Sequence, residues 1–511
     1  MNNFKEKLLK HFRGEKATGT LITALLIGAV IALNVIVYAL TVGFGLYYTP
    51  AAGLDMSISD ASDEKFLSYT GEGVDVIFCR ASSNFDEEKG LRDQTYYFHA
   101  TAKEFAEKYP NLINIKYMNV LTKKMEPDNK IVDISKYQED ADGNVAYPLY
   151  DSSIIFENVE TGKHRVVTDA AAAAFYADQN SSSESYQAYV GEEVFSSMVS
   201  WVLAKDAKKA YFTTYHGESS EIYFASMLAC AGYEFDVIDL RKNDVPEDAD
   251  ILIISNPTKD FEASVAGGPT SEMQRLTAYL ANGGSLYVSL DPYANKLYNL
   301  ETLLEKEYGI SYVESSVDGQ KYKNIVKDSG NSTTTDNFTL LADFSESSAA
   351  KSIEGILDKF DSGRVRLREC AALKTEGKAE ALLVTSSSSA TYAAGERTDK
   401  SGNYCVGAVS PTKNSDGTKK GNIFVVSSIY LTANDSLMTK GCANRDFIYS
   451  VFDVVFDSNN APYGCAPIHF NSETLENLTM RTARIYTAFI LAIPAAIAVV
   501  GFIVVRKRKN R

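Results

Sequence analysis

The chain has 511 residues, and its 51 basic and 66 acidic side chains give a net charge of −15 at pH 7. This excess of carboxylates argues against nucleic acid as a partner, because nucleic-acid binding requires basic patches. Hydrophobic residues make up 45% of the sequence, including 31 Tyr and 25 Phe, so the chain can bury real cores and is not a disordered stalk.

A long apolar segment lies close to each end of the chain. Residues 21–47 and 485–505 contain no charged side chain, and about 20 apolar residues suffice for a helix to cross the hydrocarbon core of a bilayer. The first segment is about twice as long as the apolar run of a secretory signal peptide, which favours an uncleaved anchor. We therefore predict one transmembrane helix from each segment.

Basic residues flank both apolar segments. Residues 1–20 carry five basic and two acidic side chains, and residues 506–511 carry five basic ones. Because Lys and Arg next to membrane helices stay on the cytoplasmic side, we predict a two-pass protein of a bacterial plasma membrane with both tails in the cytoplasm. The tails hold 10 of the 51 basic and 2 of the 66 acidic residues, which leaves 41 basic against 64 acidic and a net charge of −23 for the remainder.

The first external region, residues 55–170, shows the pattern of a small α/β unit. Apolar runs and a helical periodicity predict the order β-α-β-β-β, with elements at 74–79, 91–109, 113–120, 153–156 and 165–167. This order resembles a thioredoxin-like fold. In that fold the catalytic cysteine pair would follow the first strand, where this chain has only Cys79-Arg80-Ala81-Ser82. The six cysteines form no C-x-x-C, so neither a redox pair nor a zinc knuckle is expected.

The second external region, residues 190–456, alternates strands with helices. Strands are predicted at 210–213, 234–239, 251–254 and 285–290, with helices at 219–231 and 271–282, and Ser271 with Gln274 fits a capping box. The pattern predicts a Rossmann-like domain, a doubly wound and mostly parallel sheet. The polar stretch Asp328–Asn337 is expected to be a surface loop. Later strands are expected at 365–368, 381–384, 405–410 and 423–427, then a helix at 446–456 and a connector at 457–484.

Polar side chains follow three of the predicted parallel strands. The first strand runs into Tyr215, His216, Gly217 and Glu218, whereas Asn256 follows the third and Asp291 the fourth. Ligands of open parallel sheets bind beyond the carboxyl ends of the strands, so these residues predict a small polar pocket or a docking edge. The alternative is purely local: Gly217 makes a turn, Glu218 favours a helix N-terminus and Asp291-Pro292 ends a strand.

Sequence motifs for catalysis are missing. The sequence contains no G-x-S-x-G, no H-E-x-x-H and no G-x-x-x-x-G-K-[ST], and its histidines share no metal-ligand spacing. We therefore expect no catalytic residue, no metal and no cofactor. ATP cannot be held in the P-loop manner, so any energy must come from a partner.

The order of these parts resembles the GldG family, the gliding-motility-type auxiliary subunits of ABC transporters. The resemblance rests on short stretches spread over nearly the whole chain, at 211–218, 251–257, 276–292, 382–386 and 444–446. It implies a non-catalytic membrane subunit that works beside a separate P-loop ATPase and a polytopic permease, with an external domain that binds substrate or an envelope partner. It also implies a sheet like that of class I glutamine amidotransferases, with the catalytic cysteine position unfilled.

Two other functions stay open from the sequence. The chain can be a stand-alone cell-surface binding or sensor protein without an ATPase partner, although its predicted cytoplasmic tails are too short for a signalling domain. It can also be a relic of a hydrolase or amidotransferase that uses His216 and Glu218.

Overall fold

The computed structural model describes residues 57–71, 73–85, 94–138, 148–169, 173–177, 186–219, 222–264, 266, 268–399, 401–414, 417–437, 439, 441–458, 461–469, 484–488 and 506. All of them belong to one compact unit, Met56–Arg511. The predicted span 21–47 and most of the predicted span 485–505 lie outside these residues, as do the predicted cytoplasmic tails except Arg506. Within the described residues, no helix combines the length and the apolar character needed to cross a bilayer.

The α-helices of the described residues are α1 (Asp60–Phe66), α2 (Gln94–Lys108), α3 (Gly191–Leu203), α4 (Ile222–Cys230), α5 (Glu272–Ala281), α6 (Tyr298–Tyr308), α7 (Ser348–Lys359), α8 (Asn434–Leu437) and α9 (Asn444–Val454). Short 3-10 helices span Ser82–Phe85 and Ser135–Tyr137. The predicted capping box is confirmed, since the Ser271 hydroxyl accepts from Gln274 N–H and the Gln274 side chain accepts from Ser271 N–H.

The first sheet has six strands: β1 (Val74–Phe78), β2 (Ile113–Asn119), β3 (Lys124–Met125), β4 (Lys130–Ile131), β5 (Ile154–Asn158) and β6 (His164–Val167). Their order is β4-β3-β2-β1-β5-β6. Strands β1 and β2 are parallel because α2 crosses between them, and β5 lies antiparallel to both β1 and β6. The four longer strands coincide with the predicted ones, whereas the short hairpin β3–β4 was not predicted.

Helix α3 joins the two predicted external regions into one core. Its Phe195 ring stacks on Phe105 of α2 at 4.2 Å and meets Phe156 of β5 edge-on at 5.1 Å. A buried ion pair then ties α3 to α9, because Arg445 binds Glu193 and Tyr449 donates to the same carboxylate at 2.5 Å. The region that begins near residue 190 is therefore packed against the first sheet through its first helix.

The remaining strands are β7 (Phe175–Ala177), β8 (Tyr186–Tyr189), β9 (Lys208–Thr213), β10 (Tyr233–Ile238), β11 (Ile251–Ser255), β12 (Ser285–Ser289), β13 (Ile310–Tyr312), β14 (Glu314–Val317), β15 (Gln320–Lys323), β16 (Ile325–Asp328), β17 (Thr339–Phe344), β18 (Val365–Arg368), β19 (Leu373–Thr375), β20 (Glu380–Val384), β21 (Ser389–Ala393), β22 (Glu396–Arg397), β23 (Cys405–Lys413), β24 (Lys420–Val426) and β25 (Ile468–His469). Small sheets form from β14 with β15, from β16, β21 and β22, and from β25, β8 and β7.

The large sheet is mixed, so the prediction of a mostly parallel sheet is wrong for half of it. The strand order is β10-β9-β11-β12-β24-β23-β20-β17-β18, with β13 and β19 paired to one side. Strands β10 to β24 along this order are parallel, whereas β24, β23, β20, β17 and β18 are joined antiparallel. A short turn joins β23 to β24, whereas β17 and β18 are joined through helix α7. Antiparallel neighbours accept either kind of connection, because only a parallel pair requires a crossover.

Both faces of the parallel half are covered by helices. Strand β11 directs Ile251 and Ile253 into a core shared with α4 and α9, and it directs Leu252 and Ile254 into a core shared with α5 and α6. All five β11 residues are buried, as expected for a central strand of a doubly wound sheet.

The stretch predicted as a surface loop, Asp328–Asn337, is partly buried. Asp328 and Ser332 are almost fully inaccessible, and the Asp328 carboxylate accepts from the Ser386 hydroxyl at 2.6 Å and from three backbone N–H groups. Burial by itself would raise the pKa of Asp328, but these hydrogen bonds hold it below its usual value. The polar composition of the stretch reflects a hydrogen-bonded turn rather than solvent exposure.

Candidate functional site

The carboxyl end of β9 leads directly into a buried histidine. Nδ1 of His216 lies 3.0 Å from Glu218 Oε1, and Nε2 lies 3.0 Å from Oε1 of Glu272, the first residue of α5. The imidazole also stacks on the Phe261 ring at 3.9 Å. The chain therefore holds His216 by both ring nitrogens and by one ring face.

The protonation state of His216 follows from its two carboxylate partners. A neutral imidazole offers one donor and one acceptor, yet both partners of His216 are acceptors when they are ionised. Burial by itself would lower the pKa of His216, but the hydrogen bonds and charges of Glu218 and Glu272 raise it overall. Burial likewise acts to raise the pKa of Glu218, and the bond from His216 outweighs it and lowers that pKa. Both shifts favour an imidazolium between two carboxylates.

The backbone around His216 is fixed by two left-handed residues. Tyr215 has φ +81° and Gly217 has φ +74°, and a Cβ at Gly217 would lie 2.1 Å from Thr258 Oγ1. The His216 carbonyl accepts from both Thr258 N–H and Lys259 N–H at 2.8 Å. A residue other than glycine at position 217 would therefore be strained by φ and would require the Thr258 side chain to shift.

A cleft of about 760 Å³ opens in front of this turn. It lies between the carboxyl ends of β9 and β11, helix α4 and strand β10, and its wall carries four apolar side chains that are exposed to solvent: Tyr215, Ile222, Phe235 and Val237. Above Tyr215 the guanidinium of Arg241 lies 3.7 Å from the ring centroid. Volume and lining both match those of small-ligand and peptide sites.

The structure brings five of the six predicted site residues together. Tyr215, Gly217 and Glu218 line the cleft, and His216 lies buried behind it. Asn256 donates from Nδ2 to the hydroxyl of cleft-lining Ser219 at 2.9 Å. Its Oδ1 is buried and has no hydrogen-bond partner among the described residues.

Asp291 does not join this group. Its Oδ1 accepts from Tyr293 N–H at 2.8 Å in the turn after β12. Pro292 and Tyr293 line a different cavity, and Asp291 itself lines neither that cavity nor the first cleft.

Glu272 and Phe261 belong to this site but were not predicted from the sequence. Glu272 follows the capping residue Ser271, where an acidic residue is expected on helical grounds alone, and its burial appears only after α5 has packed. Its Oε2 also accepts from Glu262 N–H at 2.7 Å, which satisfies the second oxygen. Phe261 lies between strands and carries no periodic signal.

The described residues include no cluster of three or more His, Cys, Asp or Glu side chains suited to a metal ion. The thiols of Cys79 and Cys370 are buried, and burial raises the pKa of each to about 12, which keeps them protonated and unreactive at neutral pH. Cys230 is also a buried free thiol.

No known protein family and no curated protein matches the chain. Among solved structures, the "mmIFT52 N-terminal domain" is similar with a TM-score of 0.34 and 17% identity, over 48% of this chain and 96% of that one. PurLQS from Thermotoga maritima gives a TM-score of 0.26 and 10% identity, over 48% and 99% of the two chains. The exo-beta-1,4-mannosidase Op5Man5 from Opitutaceae bacterium strain TAV5 gives a TM-score of 0.28 and 11% identity. This match covers 70% of the present chain and 49% of the mannosidase chain. Similarities this distant carry no functional inference.

Proposed function

We propose that this chain is a non-catalytic auxiliary membrane subunit of an ABC-type transport or export complex, and that its external domain binds substrate or an envelope partner. The observation that carries the proposal is the apolar cleft at the carboxyl edge of β9 and β11, where the buried His216 is held between two carboxylates. The resemblance to the GldG family and the apolar segments 21–47 and 485–505 supply the membrane and transporter parts of the proposal.

The geometry around His216 favours binding over hydrolysis. A general base needs a free ring nitrogen within reach of its proton, and both nitrogens of His216 are occupied. Its side chain is 3% exposed and lies behind the cleft wall. The hypothesis that the chain is a relic of a hydrolase or amidotransferase is therefore the weaker one.

We assign the first sheet to the thioredoxin-like class and the parallel half of the large sheet to an amidotransferase-like class. The strand order β2-β1-β5-β6, with β1 and β2 parallel and β5–β6 an antiparallel hairpin, supports the first assignment. Buried Cys79 at the end of β1 fits a member of that class without redox chemistry.

The edge of the large sheet offers a second means of holding a partner. Among the described strands, β10 is an edge strand of the large sheet, with only β9 beside it. The Ile238 carbonyl faces β9, since it accepts from the Thr214 N–H that follows that strand. Because alternate residues of a strand point their backbone groups to opposite sides, Phe235 and Val237 direct theirs away from β9. An extended peptide can add to such an edge and place apolar side chains in the cleft.

The test is affinity isolation of the tagged full-length protein in mild detergent, with mass spectrometry of what accompanies it. We expect stoichiometric recovery of a P-loop ATPase and a polytopic permease. Recovery of the protein alone, or with wall components only, would contradict the transporter function and favour the alternative of a stand-alone cell-surface binding or sensor protein.

Two matched variants test whether the cleft takes part. Val237→Asp places a charge on the cleft wall, and Leu121→Asp places one on a residue that follows β2 of the first sheet and is 90% exposed. We expect Val237→Asp to lose an external partner that Leu121→Asp retains. Equal partner recovery from both variants would remove the cleft from the proposal.

Localisation has its own test. A cysteine introduced as Leu121→Cys is accessible on the surface after β2 of the first sheet. In intact cells we expect a membrane-impermeant maleimide to label it, since the bulk of the chain is proposed to lie outside the plasma membrane. Labelling only after the cells are broken would refute this two-pass topology.

A further inference from the structure

A second cavity, of about 870 Å³, lies at the carboxyl end of β12. The turn after β12 forms one wall, and two small sheets, β14–β15 and β16–β21–β22, form the others. In chain order, the strands of these small sheets interrupt those of the large sheet: β14–β16 lie between β13 and β17, and β21–β22 lie between β20 and β23. Neither these insertions nor the cavity was predicted. The cavity lies at the carboxyl ends of the parallel strands, which is the edge at which open α/β sheets bind ligands.

The charge of this cavity opposes that of the protein. The chain as a whole carries −15, yet the ionised side chains that line the cavity are one carboxylate, Glu314, and four ammonium groups: Lys296, Lys321, Lys323 and Lys327. Lys296 pairs with Glu314 at 2.9 Å, and Lys323 pairs with Glu301 at 3.3 Å. Throughout the described part of the chain, Lys321 and Lys327 have no carboxylate within ion-pair distance. A cleft with two uncompensated ammonium groups attracts anions.

Aromatic rings are interleaved with these lysines. The Lys327 ammonium lies 4.3 Å from the centroid of Phe338 and 4.9 Å from that of Tyr392, which fixes its position without neutralising its charge. Tyr293 and Tyr298 line the same cavity and are 58% and 67% exposed. The Lys296 ammonium lies 5.8 Å from the centroid of Tyr298, and the exposed parts of both rings provide flat apolar surfaces beside the cationic groups.

We propose that this cavity binds an acidic oligosaccharide. The C–H faces of sugar rings stack on exposed tyrosines, and carboxylate substituents of the sugar pair with Lys321 and Lys327. The volume lies in the range of pockets that enclose a small ligand, which suits a few sugar units. The proposal does not depend on the transporter function, because it uses only the residues of the cavity.

Single-stranded nucleic acid is the other ligand that combines rings with negative charge. Such polymers bind along basic grooves that track many phosphates, and affinity falls when the surrounding surface is acidic. Outside this cavity the chain is acidic, so a polyphosphate that extended beyond it would be repelled. An oligosaccharide short enough to stay within the cavity meets no such penalty.

The test is isothermal titration calorimetry of the full-length protein in detergent with tetragalacturonate. The matched ligands are its methyl ester, which has the same rings without charge, and a thymidine tetranucleotide. We expect binding of the acid that weakens as salt is added, and binding of the ester and the nucleotide at least tenfold weaker. Equal binding of acid and ester, tighter binding of the nucleotide, or no binding of the acid would overturn the proposal.

Variants locate the binding to this cavity. Lys327→Gln should weaken acid binding at least fivefold, and Tyr298→Ala should weaken the acid and the ester by a similar factor. Lys378→Gln is the control, since Lys378 is an exposed lysine outside the cavity lining. An unchanged affinity in both cavity variants would refute the site, and Val237→Asp in the first cleft should leave this affinity intact.

Discussion

Replacement of His216 by alanine tests whether the imidazolium between two carboxylates stabilises the fold. The change removes two hydrogen bonds between charged groups, each worth about 1.5–3 kcal/mol, and leaves Glu218 and Glu272 buried without their cation. Breaking a buried ion pair by removing one partner typically costs about 3–5 kcal/mol. We expect the free energy of unfolding of His216→Ala at pH 6 to fall by about 3–5 kcal/mol.

The pH dependence gives the sharper test. The folded-state pKa of His216 is raised above its ordinary value of 6.5, so its contribution is complete below about pH 6.5 and is lost as the pH rises through the folded pKa. The difference between wild type and His216→Ala should therefore shrink between pH 6 and pH 9. The measurement is urea unfolding at both pH values, followed by far-UV circular dichroism and by fluorescence of the single tryptophan.

A second buried histidine provides a control, because its contribution to folding stability changes with pH in the opposite direction. Burial, together with the charge of Lys103, lowers the pKa of His99 to about 4, and its Nε2 lies 2.7 Å from the Tyr117 hydroxyl. A pKa shift of that size corresponds to roughly 3 kcal/mol of folding stability. This stability is present above pH 6.5 and is lost as the pH falls through 4. The difference between wild type and His99→Ala should shrink on acidification. Equal pH slopes for the two variants, or a loss below about 1 kcal/mol in His216→Ala, would refute the assignment.

Two further variants test other buried charges. Arg445→Met should destabilise the protein by about 3–5 kcal/mol because Glu193 is left buried without its cation, and the double variant with Glu193→Gln should recover part of that loss in urea unfolding. If the double variant regained none of the lost stability, Arg445 would act through packing rather than through its charge. Asp328→Asn should cost about 1.5–3 kcal/mol at pH 7, because it weakens the bond from Ser386. Since the pKa of Asp328 is lowered, the difference from wild type should disappear as the pH falls below 3.8, and a difference that persists in acid would contradict a role for its charge.

The local elements of the parallel half could be predicted because their signals are local. The apolar run 251–254 corresponds to β11 (Ile251–Ser255), and the run 285–290 corresponds to β12 (Ser285–Ser289). A capping box needs only two side chains three residues apart, and it was found at Ser271. The four later strands that were predicted correspond to β18, β20, β23 and β24, whereas β17 (Thr339–Phe344) was missed. Their antiparallel direction was not predicted, since direction depends on the route of the chain between them.

Tertiary structure alone decided which side chains meet. His216 and Glu272 are 56 residues apart, and Glu193 and Arg445 are 252 apart, so no periodicity links them. The lysines of the second cavity are each unremarkable in the sequence and become a cationic site only when two inserted sheets face the turn after β12. Hydrophobic periodicity is set by neighbours in the chain and determines where strands and helices form. Charge pairing and cavities are set by neighbours in space, which appear only when those elements pack.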